Sequence, residues 1–416
     1  MKKTMNLILV VLLLLVLSGC TLLTTSTSST EFKLNGDNIV NITTGQSYLE
    51  SGFTASDGGT DLSSSVTVEG VVDSRTPGVY FIEYVLDYDG EETRLLRAIV
   101  VTETSVVVDP DEVLYDGTCA NVEIHYIYLE AMGDSTLIDC GDFEILIDAG
   151  LKSTGTELIV PYLEDYVTDG IIELLIATHP DADHIGGFVG LSGELGVFEA
   201  FSVERVLDYG YTKTTTTHEQ YAELRDVSGA LICIGNDALS STNLCQPYYT
   251  ITEDLILRVI DTGFYENRDS TNDNENSVVV MLEHKDLKYL FTGDAEFDAE
   301  EFMALNSLGT VDVYKAGHHG SHTASSEELL SVIQPNDIIL SVYFPEDDDG
   351  ENGYGIPQQE SLDRLFSYTD NIYATGVNGT IILTSNGTTY TIEGSVNSIL
   401  FKDSTWFSEH RIYPTE

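Results

Sequence analysis

Basic side chains are scarce in this chain. Lysine and arginine number 18 among 416 residues, against 69 aspartates and glutamates, giving a formal net charge of −51. A field of that size repels phosphate backbones over any surface where it is not locally reversed, an objection that any nucleic-acid reading must carry, and it favours solubility. Cysteines are few: five in all, none in a close Cys-x-x-Cys pair, which argues against a thiolate zinc site. Four of them follow Cys20. Cys119 and Cys140 flank a predicted hairpin, and Cys233 and Cys245 flank a polar loop, so each pair is placed to oxidise outside the cytoplasm. The first apolar run, Met5 to Leu17, is too short to span about 30 Å of hydrocarbon comfortably. What the chain does have is apolar residues at 42%, enough to fold most of it into packed cores.

The N-terminal residues point to a compartment. Lys2 and Lys3, the apolar run, and the small residues Ser18 and Gly19 before Cys20 follow the plan of a secretory signal. Leu17-Ser18-Gly19-Cys20 resembles the bacterial lipobox. That resemblance implies cleavage of a signal peptide at 1–19, a lipid-modified Cys20, and a lipoprotein held on the outer side of the cell membrane. An uncleaved anchor and an ordinary signal peptide are the other readings. Residues 20–30 end in a pure Ser/Thr run from Thr24, a flexible tether.

From 31 to 104 helical spacing is absent. Val40 and Ile42, then Val66 and Val68, alternate with polar neighbours; Tyr80, Ile82, Tyr84 and Leu86 share one face of a predicted strand. Thr76-Pro77-Gly78 and Asp89-Gly90 read as turns, and Leu95 to Val101 returns as a last strand. The pattern predicts a small β-sandwich. Its "Pro-Gly-x-Tyr-x-Ile-x-Tyr" strand and Gly52-Phe53-Thr54-Ala55 segment resemble the immunoglobulin-like modules of bacterial surface proteins, which implies a spacer or a contact with a surface partner. No catalytic constellation occurs here. A linker at 105–116, containing Asp109-Pro110, leads to a second domain at 117–400, with a tail at 401–416.

The second domain reads as α/β. Strands at Val122 to Leu129, Thr136 to Ile138 and Phe143 to Ile147 precede a helix and a very apolar strand, Ile171 to Ala177. Directly after that strand stands Thr178-His179-Pro180-Asp181-Ala182-Asp183-His184-Ile185-Gly186-Gly187. Four potential ligands in six residues cost several kcal/mol in repulsion and desolvation unless cations bind them, and imidazole with carboxylate suits zinc, manganese or iron. The glycine pair is expected to permit a tight turn into the next helix.

This segment resembles the metallo-β-lactamase signature His-x-His-x-Asp-His-x-Gly-Gly with Asp181 in place of the second histidine, the variant found in the hydrolase domain of DNA-uptake competence proteins. An ordered set extends the likeness: Gly133-Asp134, Ile147-Asp148-Ala149-Gly150, Asn274-Glu275-Asn276-Ser277-Val278, Phe291-Thr292-Gly293-Asp294 and Lys315-Ala316-Gly317-His318-His319-Gly320-Ser321. It implies an αββα sandwich following the immunoglobulin-like one, and two divalent ions, zinc or manganese. His179 and Asp181 can face one ion, and Asp183 and His184 the other. Asp294 bridges, and His318 or His319 completes the second site. Asp183 and Asp294 are the candidate catalytic residues; Asp134, Asp148 and Ser321 stand behind the ligands or on the substrate side. Asp294 can also cap a helix expected over Ala295 to Leu305.

Two departures bear on activity. Family members carry a late "Asn-x-Tyr-Gly-His-Pro" segment, whereas this chain has Ile356 at the histidine position, with His322 as a possible substitute. No further histidine occurs between Asn272 and Ser277, so the first site is oxygen-rich, which favours manganese. His125, His218, His284 and His410 read as structural or exposed, and Glu346 to Asp349 as a solvated loop without EF-hand spacing. The resemblance implies a metal-dependent phosphodiesterase acting on nucleic acid or a small phosphodiester. Hydrolysis of a lactone, thioester or β-lactam on the same fold, or binding without catalysis, are the alternatives.

Overall fold

A computed structural model describes residues 30–414, apart from 44–47, 49, 73, 75–77, 103–112, 116, 236–238, 240–244, 264–271, 306–307 and 346–353. The signal-like segment, Cys20, the Ser/Thr run up to residue 29, the Thr76-Pro77 part of the first turn, Asp109-Pro110 and the acidic run 346–349 lie outside the described residues. Contacts divide the chain into two compact units between Thr104 and Ser105.

In the N-terminal unit, alternation builds two facing sheets. Gly78–Tyr88 buries Ile82, Tyr84 and Leu86 and turns Val79 and Phe81 outward. It pairs along its whole length with Glu91–Thr102 across Asp89 and Gly90, which both hold positive φ (55° and 81°), the geometry an Asp-Gly hairpin turn needs. Val66–Glu69 and Ile39–Thr43 flank this pair. Thr30–Leu34, Phe53–Asp57 and Thr60–Asp61 form the second sheet. Ile42, Ile82, Tyr84, Ile99 and Val101 fill the space between them, with Phe53 edge-on to Tyr84 at 5.4 Å. The result is an all-β, immunoglobulin-like sandwich.

The C-terminal unit is an αββα sandwich. One sheet has eight strands, in the order Leu231–Ile234, Ser202–Asp208, Ile171–Ile176, Glu144–Ile147, Thr136–Asp139, Val122–Tyr126, Ile381–Ser385, Tyr390–Gly394. The other has seven: Tyr248–Thr252, Leu255–Ile260, Val279–His284, Leu287–Phe291, Val313–Lys315, Asp337–Leu340, Ile372–Ala374. The inner strands of the second sheet are apolar on both faces, as strands covered on both sides must be. Val280, Leu282, Tyr289, Phe291 and Ile339 point into the core shared with the first sheet. Val279, Met281, Leu290, Ile338 and Leu340 point the other way, beneath helices Phe297–Leu305, Glu327–Ile333 and Gln359–Phe366. Tyr126 and Phe291 stack across the sheets at 6.1 Å. Cys119 pairs with Cys140 and Cys233 with Cys245, with Cα separations of 5.2 and 5.4 Å.

Three expectations are corrected. The tail expected at 401–416 is packed on the domain over residues 401–414: Phe401 and Phe407 are buried in the helix-side core, Trp406 stacks on Phe344 at 3.8 Å, and Arg411 donates to the carbonyls of Gly355 and Pro357 at 2.8 Å each. The helix expected from Ala295 begins at Phe297, and its first amides are capped by Glu275 rather than Asp294, with Asp298 N at 3.2 Å and Ala299 N at 2.9 Å; the Asp294 carboxylate is turned toward imidazoles instead. The Gly186-Gly187 pair is required by close approach, not by turn geometry. Gly186 has ordinary helical φ (−59°), while a Cβ on Gly187 would lie 1.9 Å from the Ala149 carbonyl oxygen.

Candidate metal centre

The topology brings four strand ends to one edge of the sandwich. Asp148 follows Glu144–Ile147 and His179 follows Ile171–Ile176; Asp294 and the histidine pair follow Leu287–Phe291 and Val313–Lys315 in the facing sheet. The two sets of loops are tied by Val278 N donating to Thr178 O at 2.8 Å. Gly133 packs so tightly against the Asp183 carbonyl, 2.4 Å from where a Cβ would sit, that no other residue fits there.

Asp148 organises one side. Its backbone is left-handed (φ 56°), which turns the buried carboxylate back on the metal loop. It accepts from Thr178 N at 2.9 Å, Thr178 Oγ1 at 2.7 Å and His184 Nδ1 at 2.7 Å. A proton held on Nδ1 leaves His184 Nε2 as the free lone pair, 3.2 Å from Asp294 Oδ2.

Asp294 Oδ2 is the point of convergence. Around it stand Nε2 of His184, His319 at 3.5 Å, His179 at 3.9 Å and His318 at 3.9 Å. Asp181 Oδ2 lies 3.8 Å from His179 Nε2, and Asp183 Oδ2 3.7 Å from His319 Nε2. Asp181 and Asp183 line the mouth, with side chains 49% and 32% exposed, whereas Asp294 is closed off. Among the described residues, Asp134, His184, Asp294 and His319 bring ligand atoms within 4.8 Å of one another.

The two adjacent histidines differ. His319 is buried, with Nδ1 at 3.1 Å from the Ser341 carbonyl and Nε2 toward both Asp183 and Asp294. His318 is 25% exposed, with Nδ1 at 3.1 Å from Glu296. Both have left-handed backbones (φ 46° and 53°), a strain of about 1–3 kcal/mol each that persists where the surroundings over-determine a functional geometry. Ser321 stands one step back, 2.9 Å from Thr323 Oγ1, which donates to Glu296 at 2.8 Å. Ile356 is buried in the helix-side core, and His322 bonds Gln358 rather than joining the cluster. His125, His218 and His284 are buried away from it, bonded to Tyr162, Tyr209 and Ser385.

Sequence reasoning gave no role to Lys315 or Glu296. Lys315 is buried and ion-paired with Asp134; a lysine closing an apolar Val-Tyr strand was the available signal, since it must find a partner there. Glu296 gathers His318, Thr323, Asn272 and Asn274. Burial pushes its carboxyl up, but those hydrogen bonds outweigh burial and bring it down to about 2. No pattern along the chain marks it.

The donor set passes a physical test for cations. His179 Nε2, His184 Nε2, His319 Nε2 and Asp294 Oδ1 are buried without a hydrogen-bond partner. Once the imidazoles are neutral, these four converging donor atoms are what a divalent ion satisfies. Burial lowers His184 and His319, yet Asp294 with Asp148 or Asp134 overrides it, raising His184 well above its usual value and His319 to about 10. His179, dominated by burial, falls to about 3. Without cations, then, His184 and His319 are protonated at neutral pH and His179 is not. Loading requires neutral imidazoles, so cation uptake between pH 7 and 9 is expected to release about two protons, and apparent affinity should rise with pH. Calorimetric titration in buffers of different ionisation enthalpy reads this directly; zero release would contradict the geometry.

Comparison with known proteins agrees with the fold. Residues 128–342 match the model of the metallo-beta-lactamase superfamily, and the chain belongs to that superfamily. Residues 32–101 match the bacterial surface protein Ig-like domain. Among curated proteins, Recombination protein 2 of Haemophilus influenzae is 28% identical over 260 residues, covering 60% of this chain and 27% of that protein. ComE operon protein 3 of Bacillus subtilis is 28% identical over 234 residues, covering 55% and 26%. The shared region is therefore about a quarter of either relative.

Proposed function

We propose that the C-terminal unit is a two-cation phosphodiesterase of the competence-protein type, working outside the cytoplasm from a lipid anchor. The carrying observation is the ring of imidazole Nε2 atoms around Asp294 Oδ2, with three of them and Asp294 Oδ1 buried and unpartnered. Bound divalent ions supply Lewis acidity and an activated water there. Asp148 holds His184 in the ligating tautomer, and Ser341 does the same for His319. Asp181 and Asp183 present carboxylates at the mouth, where Asp183 orients the attacking water. His318, the open imidazole of the group, faces substrate with its ring fixed by Glu296. A single imidazole on the Asp181 side makes that half oxygen-rich and manganese at least as suitable as zinc.

The charge of −51 favours a short phosphodiester over a long duplex. Purified protein loaded with manganese or zinc should turn over bis(p-nitrophenyl) phosphate in preference to nitrocefin and a simple lactone. Asp183→Asn should lower that rate at least about a hundredfold. Preference for nitrocefin or the lactone would move the assignment to those substrates, and no turnover of any would leave a binding protein.

The anchor rests on the Lys2-Lys3, apolar and Leu17-Ser18-Gly19-Cys20 order, and the two disulfides suit an oxidising compartment. No helix among the described residues is long and apolar enough to cross a membrane. Cys20→Ala should shift the protein from the membrane pellet to the soluble fraction; unchanged retention would remove the lipid from this reading.

A further inference from the structure

The segment 317–326 carries both adjacent histidines in a backbone shape that their residue type does not favour. His318 and His319 are left-handed, and Ser325, at the far end, is left-handed as well (φ 58°). Such conformations at non-glycine residues persist only where the surroundings over-determine them. The His319 imidazole depends on this shape, because its Nε2 reaches Asp294 Oδ2 across 3.5 Å from that loop.

Two side chains of opposite charge grip the segment from behind. Glu300, on the helix Phe297–Leu305, is wholly buried. Its Oε1 accepts from Ser325 N at 2.7 Å and its Oε2 from Ser326 N at 2.6 Å. Arg364, on the helix Gln359–Phe366, takes carbonyls instead. Its Nε donates to Ser325 O at 2.8 Å, and its Nη2 to Ala324 O at 2.8 Å and His322 O at 2.9 Å. Tyr314 joins the two ends: its hydroxyl accepts from Gly317 N at 3.0 Å and lies 3.2 Å from Ser325 Oγ. Hydrogen bonds with one ionised partner are the stronger kind. Burial raises the Glu300 carboxyl to about 7, against the pull of the Ser326 and Ser325 bonds, so above that pH both its oxygens are ionised acceptors for the loop.

We propose that Glu300 and Arg364 are positioning residues for the metal centre, a role that rests on the two-cation reading of that centre and is independent of the substrate. By fixing the backbone of 322–326, they hold His318 and His319 left-handed with both Nε2 atoms directed at Asp294. Loss of either grip frees Ser325, and with it the histidine pair, to relax toward right-handed backbone. That relaxation withdraws imidazoles now 3.5 and 3.9 Å from Asp294 Oδ2. Groups that orient a metal ligand from behind change metal affinity by about 10–100-fold when removed.

The test titrates full-length, metal-free protein with cobalt(II) at about pH 8, where Glu300 is ionised. Calorimetry reads the affinity, and the visible absorption of the bound ion reads its ligand geometry. Glu300→Gln keeps the shape but turns an amide hydrogen toward a backbone N–H. Arg364→Met keeps much of the stem and removes the three bonds to carbonyls. Each variant is expected to bind cobalt about 10–100-fold more weakly, with an altered spectrum at full loading. Denaturant unfolding of the metal-free proteins runs in parallel. The half-buried Arg364 position serves if Glu300→Gln does not fold. Lower stability with wild-type affinity and an unchanged spectrum in a folded variant would overturn the proposal, since a purely structural role gives that result. Wild-type protein that binds no cobalt would instead sink the two-cation reading, and the positioning role with it.

Discussion

On the proposed two-cation phosphodiesterase reading, replacing Asp294 with asparagine is expected to lower cation content from two per chain to one or none and to reduce phosphodiester turnover by at least about a hundredfold. Every imidazole of the centre is oriented on Asp294 Oδ2, at 3.2 to 3.9 Å, so one isosteric change acts on the whole group. The amide keeps the volume but removes the charge that, after burial is overcome, raises His184 and His319. It also replaces one acceptor oxygen by a donor, which points a hydrogen at lone pairs that a cation should occupy. Inductively coupled plasma mass spectrometry after dialysis reads the metal, and a chromogenic phosphodiester reads the rate. Asp183→Asn is the informative comparison. Asp183 lies at the open mouth and touches His319 alone among these imidazoles (3.7 Å), so it should lose rate with a smaller loss of metal. Full occupancy and undiminished rate in Asp294→Asn would mean that the buried orphans answer to something other than a bridged pair of ions.

How far the sequence could be read depended on whether the signal was local. The His179 to His184 cluster, the strand ends carrying Asp148 and Asp294, and the histidine pair were legible because ligand-dense loops at the ends of apolar strands have few structural explanations. The choice between His318 and His319 was not. The two differ in which side of a left-handed turn faces Ser341 and which faces Glu296, contacts 22 residues away in both cases. Asp294 as helix cap looked reasonable because an acid precedes an apolar helical segment. Glu275, arriving from the other end of a hairpin, takes that role instead. The fastening of residues 401–414 was hidden for the same reason: Phe401, Trp406 and Phe407 are spaced like any short aromatic segment, and only the open flank of the second sheet gives them somewhere to go. Charged residues inside apolar strands were the underused clue. Lys315 and Glu144 both violate the local pattern, and each violation marks a long-range partner.

Lys315 is where that clue has the largest consequence for stability. Its ammonium and the Asp134 carboxylate are both buried and in direct contact, and the Lys315 charge is the strongest of the influences that overcome burial to hold Asp134 below its usual range. Lys315→Met keeps much of the stem's packing but removes the stronger of the two counter-charges of the buried Asp134 carboxylate, leaving it His319 Nδ1, 3.5 Å away. Breaking one side of a buried ion pair costs about 3–5 kcal/mol, whereas removing both charges is often nearly neutral. Denaturant unfolding of the metal-free protein, following the C-terminal unit's transition, should therefore show Lys315→Met destabilised by about 3–5 kcal/mol. The double variant Lys315→Met with Asp134→Asn should recover most of that loss. The pair also has a reading at the metal centre. With Lys315 gone, Asp134 is drawn onto His319 Nδ1 as its principal counter-charge, so cations should bind the single variant with altered affinity even at low denaturant. A loss under 1 kcal/mol in Lys315→Met, or a double variant no better than the single, would show that water reaches Asp134 and that the contact does not hold the loop.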